Sequence, residues 1–321
     1  MSGRASGSLA KQYRLIRRLG QGAMGAVWEA ERVADGRSVA LKLLKRELLR
    51  EDRALHRFRR EAKLSARLAH PNVVATFDSG VDDESGQPWM SMELVSGPNL
   101  ATWAREHAPV PRATAVTLLR DVFAAVGHAH ALSIVHRDLK PENVLLVVDG
   151  PVPRAKVSDF GIAKGLEEQS WASTEAGLGT PVWTAPEQGR AGFVPSPRAD
   201  VWALGLIAFW LLTGNSYWRH DNARSSVVDL VLELERGVLA SASERAAEAG
   251  ASERLPSGFD AWFARAVNRS EAERFGDARE AWTALAPVLG LAPGRRSVRV
   301  LAWAALGLLV LGLVAAAVAA R

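Results

Sequence analysis

"HRDLKPENVLL" occupies residues 136–146 and combines acidic, basic and amide side chains before an apolar run. Asp138, Lys140 and Asn143 are side chains that can accept a proton, neutralise charge and offer oxygen ligands. Such groups act only on a substrate that other parts of the chain hold in place. The stretch therefore poses the question of whether the remaining sequence completes an active site around it.

The 321-residue chain has a globular composition, with 48% hydrophobic and 23% charged residues. Its length allows one large domain or two ordinary ones. It contains no cysteine, which excludes disulfides and thiolate metal sites. The formal charge of +5 and the pI near 9.9 fit an arginine-rich solvated surface better than a nucleic-acid patch, since no dense basic run is present. We expect no nucleic-acid partner.

The two ends of the chain differ from its body. Residues 1–12 are small and polar and lack the apolar core of a signal peptide, so we expect a disordered N-terminal tail. Residues 300–320 carry no charge. As a helix they would be about 31 Å long, which matches the core of a bilayer. This segment predicts one transmembrane helix, the alternative being a buried helix.

Positive charges on the N-terminal side of residues 300–320 predict the orientation of this helix. Arg295, Arg296 and Arg299 precede the apolar segment, within a linker at residues 287–299. The positive-inside bias then puts the main body of the chain in the cytoplasm, on a single-pass anchor in the cell inner membrane. Small residues recur every four positions within the segment. Their spacing would allow the helix to pack in a homodimer, or arises by chance in an alanine-rich helix; they are Gly312, Ala316 and Ala320.

The soluble part changes character once along its length. Residues 13–92 read mainly as strands with one helix at about 52–69, and long helical patterns dominate from about residue 99. Asp35-Gly36 lies between two strand-like runs and predicts a hairpin. This order indicates an α+β fold in which a small β-rich lobe precedes a larger helical lobe.

A glycine-rich stretch stands near the start of the β-rich lobe. Gly20, Gly22 and Gly25 form a G-x-G-x-x-G pattern, which is weak evidence for phosphate binding when it occurs alone. The residues that follow read as a strand, AVWEAERV, whereas a dinucleotide-binding loop would open a helix. The chain also lacks the G-x-x-x-x-G-K-[ST] pattern. We therefore expect the glycines to connect two strands of a hairpin.

A lysine and a glutamate in this lobe are predicted to pair. In SVALKLL, strand alternation puts Ala40 and Lys42 on the same face, so Lys42 is either an inward lysine or a surface residue of an edge strand. Glu61 lies within the apolar stripe of the predicted helix, together with Phe58 and Leu64. An inward carboxylate is costly unless it is paired. A Lys42–Glu61 pair beside a glycine loop is an arrangement for phosphoryl transfer.

Taken in order, these motifs resemble those of the eukaryotic-type protein kinases, most closely the bacterial serine/threonine branch. The resemblance extends from residue 13 to about 285 and rests on GQGAMGAV, VALK, the helix with Glu61, HRDLKPEN, DFG, GTPVWTAPE, DVWALG and AERF. It implies a bilobal protein-kinase-like fold with a catalytic domain at residues 13–286. The N-lobe would cover residues 13–92, and the C-lobe residues 96–286.

The resemblance also implies roles for individual residues. Asp138 would accept the proton of the substrate hydroxyl, and Lys140 would steady the transferring phosphate, its presence indicating Ser or Thr substrates. Lys42 would contact the ATP phosphates and be held by Glu61. Mg²⁺, or Mn²⁺, would be bound by Asn143 and Asp159. His136 and Phe160 would pack behind the loop. The residues expected around the rest of ATP are Leu19, Gly20, Gly22, Gly25, Val27, Ala40, Met92, Glu93, Val95 and Leu145.

The segment between Asp159 and Glu187 resembles an activation segment. Thr174 is the expected autophosphorylation site, with Ser173 and Ser170 as rivals, and Arg137 would bind the phosphate, with Lys164 as a second partner. Thr180 is expected to bond near Asp138 and Lys140. Two structural roles are also implied. Glu187 and Arg274 would form a buried ion pair, and Asp200 would cap the backbone of the catalytic loop.

Two features depart from the kinase pattern. Trp183 replaces a tyrosine that is common in GTPxYxAPE, and residues 215–258 match the pattern poorly. Both affect the surface where the family binds protein substrates.

The sequence predicts an ATP-dependent protein kinase that phosphorylates Ser or Thr in protein substrates and autophosphorylates its activation loop at the membrane. One alternative is a membrane-tethered pseudokinase scaffold, whose usual mark is loss of Lys42, Asp138 or Asp159; all three are present. A second alternative is a small-molecule kinase of related fold, which Lys140 and the APE segment disfavour.

Overall fold

The computed structural model describes residues 9–22, 25–160, 181–190, 192–222 and 225–292. They form a β-rich N-terminal lobe and a helical C-terminal lobe, as the sequence predicts. The strands of the N-terminal lobe are β1 (Tyr13–Gln21), β2 (Gly25–Arg32), β3 (Ser38–Leu44), β4 (Thr76–Val81) and β5 (Pro88–Glu93), and its helices are α1 (Leu9–Gln12) and α2 (Asp52–Ser65).

The second lobe begins after β5. Its helices are α3 (Leu100–Glu106), α4 (Arg112–Ala131), α5 (Pro197–Thr213), α6 (Val227–Arg236), α7 (Ala242–Glu248), α8 (Phe259–Ala266) and α9 (Ala278–Val288). Its strands, β6 (Val144–Val147) and β7 (Arg154–Val157), form an antiparallel pair that follows the catalytic-loop sequence.

The N-terminal sheet has the strand order β1-β2-β3-β5-β4, with every neighbouring pair antiparallel. The predicted hairpin joins β2 to β3, and Gly36 in its turn has φ +70°, a conformation that favours glycine. Strand alternation holds as predicted: Val39 and Leu41 are buried in a cluster with Trp89 on one face of the sheet. Helix α2 packs Phe58 against a separate apolar cluster.

The structure differs from the sequence prediction at two boundaries. Leu9–Gln12, the last four residues of the expected disordered tail, form a short helix, and the backbone N–H of Leu9 donates to Asp82 Oδ1 at 2.7 Å. Residues 1–8 lie outside the described residues. Helix α2 ends at Ser65 rather than near residue 69. Leu68 instead packs into the core of the helical lobe, so the chain must leave the helix to reach it.

Helix α5 forms the centre of the helical lobe and is buried on nearly all sides. Ser196 caps its N-terminus by accepting from the N–H of Arg198, and Gly214 at φ +80° ends it in the left-handed conformation. Helices α4, α8 and α9 pack around it. Gly205 permits a close approach of the chain at the end of α8, because a Cβ there would lie 2.6 Å from Val267 Cγ2.

The region that departs from the kinase pattern contains α6 and α7. Glu233 points inward from α6 and accepts hydrogen bonds from the N–H groups of Arg219 and His220 at 3.1 and 3.0 Å. It also pairs with Arg245 of α7 at 2.8 Å, and the Arg245 side chain is only 4% exposed. This buried ion pair holds the two helices together.

A search of the described helices finds none with the length and hydropathy needed to cross a membrane. The predicted transmembrane segment at residues 300–320 lies outside the described residues, as does most of the linker at 287–299.

Candidate active site

Lys42, Glu61 and Asp159 meet between the two lobes. Lys42 Nζ lies 2.6 Å from Glu61 Oε1 and 2.7 Å from Asp159 Oδ1. The first contact is the pair predicted from the sequence. The second joins residues 117 positions apart and brings the DFG aspartate to the strand lysine. A single ammonium group thus ties together β3, α2 and the segment after β7.

Burial and charge act in opposite directions on these three groups. Burial raises the pKa of Glu61 despite the charge of Lys42, and the Glu61 side chain is 5% exposed. The charge of Lys42 lowers the pKa of Asp159. Burial alone would lower the pKa of Lys42, but the two carboxylates outweigh it and raise that pKa. The lysine therefore stays charged, which suits it to bind an anion.

The catalytic-loop side chains lie close together. Lys140 Nζ is 3.2 Å from Asp138 Oδ2. Asn143 Nδ2 donates to the carbonyl oxygen of Asp138 at 2.7 Å and lies 3.3 Å from its Oδ2. The carboxylate of Asp138 is thereby held between an amide and an ammonium group. Both it and Lys140 are partly exposed, so a substrate can reach them.

The backbone of this loop is fixed by a buried aspartate of α5. Asp200 accepts from the N–H of His136 at 2.7 Å and from the N–H of Arg137 at 2.9 Å, which is the predicted cap. Arg137 has φ +67°, a conformation that a non-glycine residue adopts at a cost. His136 is fully buried, and its ring lies 4.7 Å from that of Phe160, as expected of a packing residue.

Two oxygen ligands for a divalent cation are close to this loop. Ser158 donates from its N–H and from Oγ to the carbonyl oxygen of Asn143 at 2.8 and 3.1 Å, which brings Asn143 beside Asp159. Since Asn143 donates through Nδ2 to Asp138, its Oδ1 is left to act as a ligand. A carboxylate and an amide oxygen are a suitable donor set for Mg²⁺ when phosphate oxygens complete the shell.

The residues expected around ATP lie on the elements that face the cleft between the lobes. Ala40 is buried, and Val27, Met92, Val95 and Leu145 are partly buried. The glycine pattern lies at the end of β1 and the start of β2, so it connects a hairpin as predicted.

Three other expected nucleotide residues are notable for their surroundings. A Cβ at Gly25 would lie 2.3 Å from the carbonyl oxygen of Leu43, so only glycine fits there without a shift. Leu19 is 40% exposed. Glu93 Oε2 accepts from Lys156 Nζ at 2.9 Å and from the N–H of Ala75 at 3.2 Å.

The expected phosphorylation sites lie outside the described residues; they are Thr174, Ser173 and Ser170. Thr180 and Lys164 are also outside them. The predicted ion pair that follows this segment is present: Arg274 Nη1 and Nη2 lie 2.6 and 2.7 Å from the two oxygens of Glu187. The Arg274 side chain is 0% exposed and stacks over Trp202.

Sequence reasoning missed three residues that support the site: two of them hold the catalytic loop, and the third contacts Glu93. His130 Nε2 contacts Asp200 Oδ2 at 2.9 Å, and its Nδ1 accepts from the N–H of Ala278 at 3.2 Å. Gln188 Nε2 donates to the carbonyl oxygen of Arg137 at 2.9 Å. Lys156, already noted beside Glu93, links β7 to the end of β5. For His130 the available signal was a polar residue among the apolar residues of the last turns of α4, whereas the sequence around Gln188 carries no such signal.

Comparison with known proteins agrees with this geometry. A model of the protein kinase domain matches residues 13–275. Serine/threonine-protein kinase Pkn1 of Myxococcus xanthus is 41% identical over 219 residues, which cover 67% of this chain and 31% of that protein. Serine/threonine-protein kinase PrkC of Bacillus subtilis is 35% identical over 214 residues, which cover 67% and 32%.

A solved structure gives the same picture of the fold. The Mycobacterium tuberculosis PknI kinase domain is similar with a TM-score of 0.61 and 28% identity, over 86% of this chain and 96% of that one. The chain spans about a third of the length of the curated relatives that head the comparison. With a family model that covers most of its length, the chain belongs to the protein kinase domain family, in its eukaryotic-type bacterial form.

Proposed function

We propose that the chain is an ATP-dependent serine/threonine protein kinase that is tethered to the cytoplasmic face of the cell inner membrane. The observation that carries the catalytic part is the position of Lys42 Nζ between Glu61 and Asp159. In the kinase family this lysine contacts the ATP phosphates. A loop with Asp138 and Lys140 side by side faces the same cleft.

The proposed chemistry uses positioning and charge more than covalent assistance. The carboxylate of Asp138 accepts the proton of the substrate hydroxyl, and Asn143 holds that carboxylate through its amide. Lys140 and Lys42 offset the negative charge of the transferring phosphate. Asn143 and Asp159 would hold a divalent cation, which would neutralise charge between the phosphates. Proteins with Ser or Thr are the proposed substrates, by analogy with the named relatives.

Autophosphorylation of Thr174 is a second part of the proposal. Its support is the guanidinium of Arg137, whose Nε is buried without a hydrogen-bond partner in the described part of the chain. Burial and the nearby charge of Arg60 both lower the pKa of Arg137. An anion bound near the two guanidinium groups would offset this repulsion. A phosphorylated threonine would supply that anion.

Tethering through residues 300–320, with or without pairing of two copies, rests on the sequence alone. Fractionation of cells that express the full chain, beside a variant truncated after residue 299, tests it. Recovery of both in the soluble fraction would contradict the tether.

The catalytic proposal is tested with the full chain in lipid nanodiscs, supplied with Mg²⁺ and γ-labelled ATP. We expect label to enter the protein and a generic Ser/Thr substrate, and Asp138→Asn to abolish that transfer. Nucleotide binding without transfer in either protein would support the scaffold alternative instead. Mapping the label tests Thr174, and an active enzyme unmodified at Thr174 would contradict the phosphosite.

A further inference from the structure

A cavity of about 530 Å³ lies in the helical lobe, in the region that departs from the kinase pattern. None of its lining residues belongs to the site described above. Its walls come from the segment before α7 and from α8, with Tyr217, Leu239, Phe263 and Val267 as the larger apolar groups. This size and a mainly apolar lining with few polar groups are typical of small-molecule sites.

Arg269 is the cation that lines this cavity. Its Nε and Nη2 donate to the carbonyl oxygens of Leu234 and Glu233, both at 2.9 Å, and so cap the last turn of α6. Burial lowers the pKa of Arg269. No carboxylate pairs with it in the described part of the chain. Four arginines of the same lobe do have such partners: Arg219 with Glu248, Arg245 with Glu233, Arg265 with Glu280, and Arg274 with Glu187.

Two other polar groups of the lining, Tyr217 and Asp260, are already hydrogen-bonded, and the second carries a negative charge. The hydroxyl of Tyr217 is engaged with the carbonyl oxygen of Ala240 at 2.7 Å. Both oxygens of Asp260 accept from Ser243, at 2.7 and 2.6 Å.

The side-chain oxygen of Asn268 accepts from the N–H of Ser270 at 2.9 Å, so Asn268 presents its NH₂ group. Arg269 Nη1 also remains available as a donor. Both of these groups are N–H donors.

We propose that this cavity binds a small organic anion with an apolar body, such as an aromatic carboxylate, held by Arg269 and Asn268 above the rings of Tyr217 and Phe263. The two rings lie 4.9 Å apart between centroids and form a continuous apolar surface. An arginine that already bonds two carbonyl groups is rigid, so a carboxylate meets a prepared donor rather than a mobile side chain.

The cavity is connected to the substrate side of the proposed kinase. The ring of Tyr217 lies 4.9 Å from that of Trp218, and Trp218 Nε1 donates to the carbonyl oxygen of Val182 at 2.9 Å. Val182 directly precedes Trp183 and the APE segment. This consequence rests on the proposed function: an occupant would change the KM for the protein substrate and leave the KM for ATP unchanged.

Binding is measured by ¹⁹F NMR on the full chain in nanodiscs, with 4-(trifluoromethyl)benzoate as the probe and empty nanodiscs as the blank. The neutral 4-(trifluoromethyl)benzyl alcohol serves as the matched compound. We expect the benzoate to bind about tenfold more tightly than the alcohol, because only the anion engages the arginine. Equal affinity of the two compounds would overturn the proposal.

Two variants locate the site. Ala264→Trp fills the cavity from an exposed position of α8, and Ala284→Trp places the same side chain on the exposed face of α9 as control. We expect the first to weaken benzoate binding about tenfold or more and the second to leave it unchanged. Equal binding by both variants would place the probe elsewhere and refute the assignment.

Arg269→Gln tests the charge without filling the cavity. Glutamine keeps an N–H donor for the carbonyl groups of α6, so we expect it to remove the preference for the benzoate and leave the alcohol unaffected. If the variant still binds the benzoate more tightly than the alcohol, a group other than Arg269 binds the anion, and the proposal is wrong. Binding in these experiments requires neither nucleotide nor phosphoryl transfer, so its outcome is independent of whether the chain is an active kinase.

Discussion

Lys42 of β3 and Glu61 of α2 form an ion pair with a separation of 2.6 Å, and both side chains are largely buried. The pair fixes the helix against the sheet in the arrangement that also places Lys42 on Asp159. The glutamate would carry an unfavourable buried charge without the lysine. The position of α2 and the electrostatics of the site are therefore coupled through one ammonium group.

Replacing Lys42 tests this coupling. We expect Lys42→Met to lower kcat by about 10²-fold or more, because it removes a fixed positive charge where negative charge develops. Lys63→Met is the matched control, since Lys63 is an exposed lysine of α2. Steady-state phosphorylation assays on both variants provide the measurement, and similar rates for the two would rule out the assigned role.

Breaking the ion pair between Glu187 and Arg274 is expected to reduce stability strongly. Glu187→Gln leaves the fully buried guanidinium of Arg274 without a countercharge. We expect the free energy of unfolding to fall by about 3–5 kcal/mol in urea titrations. Asp149→Asn removes half of an exposed pair with Arg154, in which both side chains are about 60% exposed, and should cost no more than about 1 kcal/mol. Comparable losses in the two variants would contradict the assignment.

Adding a single methyl group at Gly205 is expected to destabilise the protein. A Cβ there would lie 2.6 Å from Val267 Cγ2 and 3.1 Å from Ala266 Cβ, so Gly205→Ala should destabilise the protein by about 1–3 kcal/mol. Gly127 of α4 is the control, because its Cβ would make only ordinary contacts of 3.7 Å with Arg279. Gly127→Ala should be neutral or stabilise by up to about 1 kcal/mol. Melting temperatures that rank the two variants in the opposite order would disprove the packing argument.

The buried phenol of Tyr217 is expected to make the folded protein less stable at alkaline pH. Burial raises the pKa of its phenol from 10.0 to about 12. Between these values the folded state keeps a proton that the unfolded state has released, so stability is full below pH 10 and falls as the pH rises. Two pKa units correspond to about 2.7 kcal/mol.

Comparison of Tyr217→Phe with the unchanged protein isolates this effect. The variant also loses the hydrogen bond to Ala240, but that cost is the same at every pH. Urea titrations from pH 8 to 11.5 should show the gap between the two proteins narrowing above pH 10. A constant gap would mean that the phenol titrates normally in the folded state.

Local pattern was enough to predict much of the fold. Alternation in SVALKLL and the inward position of Glu61 predict the pair with Lys42, since an unpaired inward carboxylate is costly. The hairpin at Asp35-Gly36 follows from turn chemistry alone. The end of α2 could not be predicted in this way, because Leu68 leaves the helix to join a core formed by distant residues.

Contacts between distant segments determine the parts of the fold and of the site that the sequence did not predict. Lys42 and Asp159 are 117 positions apart, and no periodicity relates them. His130 reads as one more residue of an amphipathic helix until Asp200 is brought against it by packing of α5 on α4. The pair of Glu233 and Arg245 likewise depends on how α6 and α7 meet. A polar residue in an apolar helix can mark such a contact, but the local sequence does not show which distant residue packing brings to it.

Asp200 holds the N–H groups of His136 and Arg137, and not their side chains. Asp200 therefore fixes the main-chain conformation of the catalytic loop. The charge that would bind a phosphate belongs to the side chain of Arg137. A substitution can therefore change the charge at position 137 without changing the main-chain conformation of the loop. We expect substitution of Arg137 by asparagine, which tolerates the left-handed backbone, to remove the proposed response to a phosphate and to keep the main chain of the catalytic loop. The proposed phosphate control would thus depend on one side chain, whereas the main chain of the loop depends on Asp200.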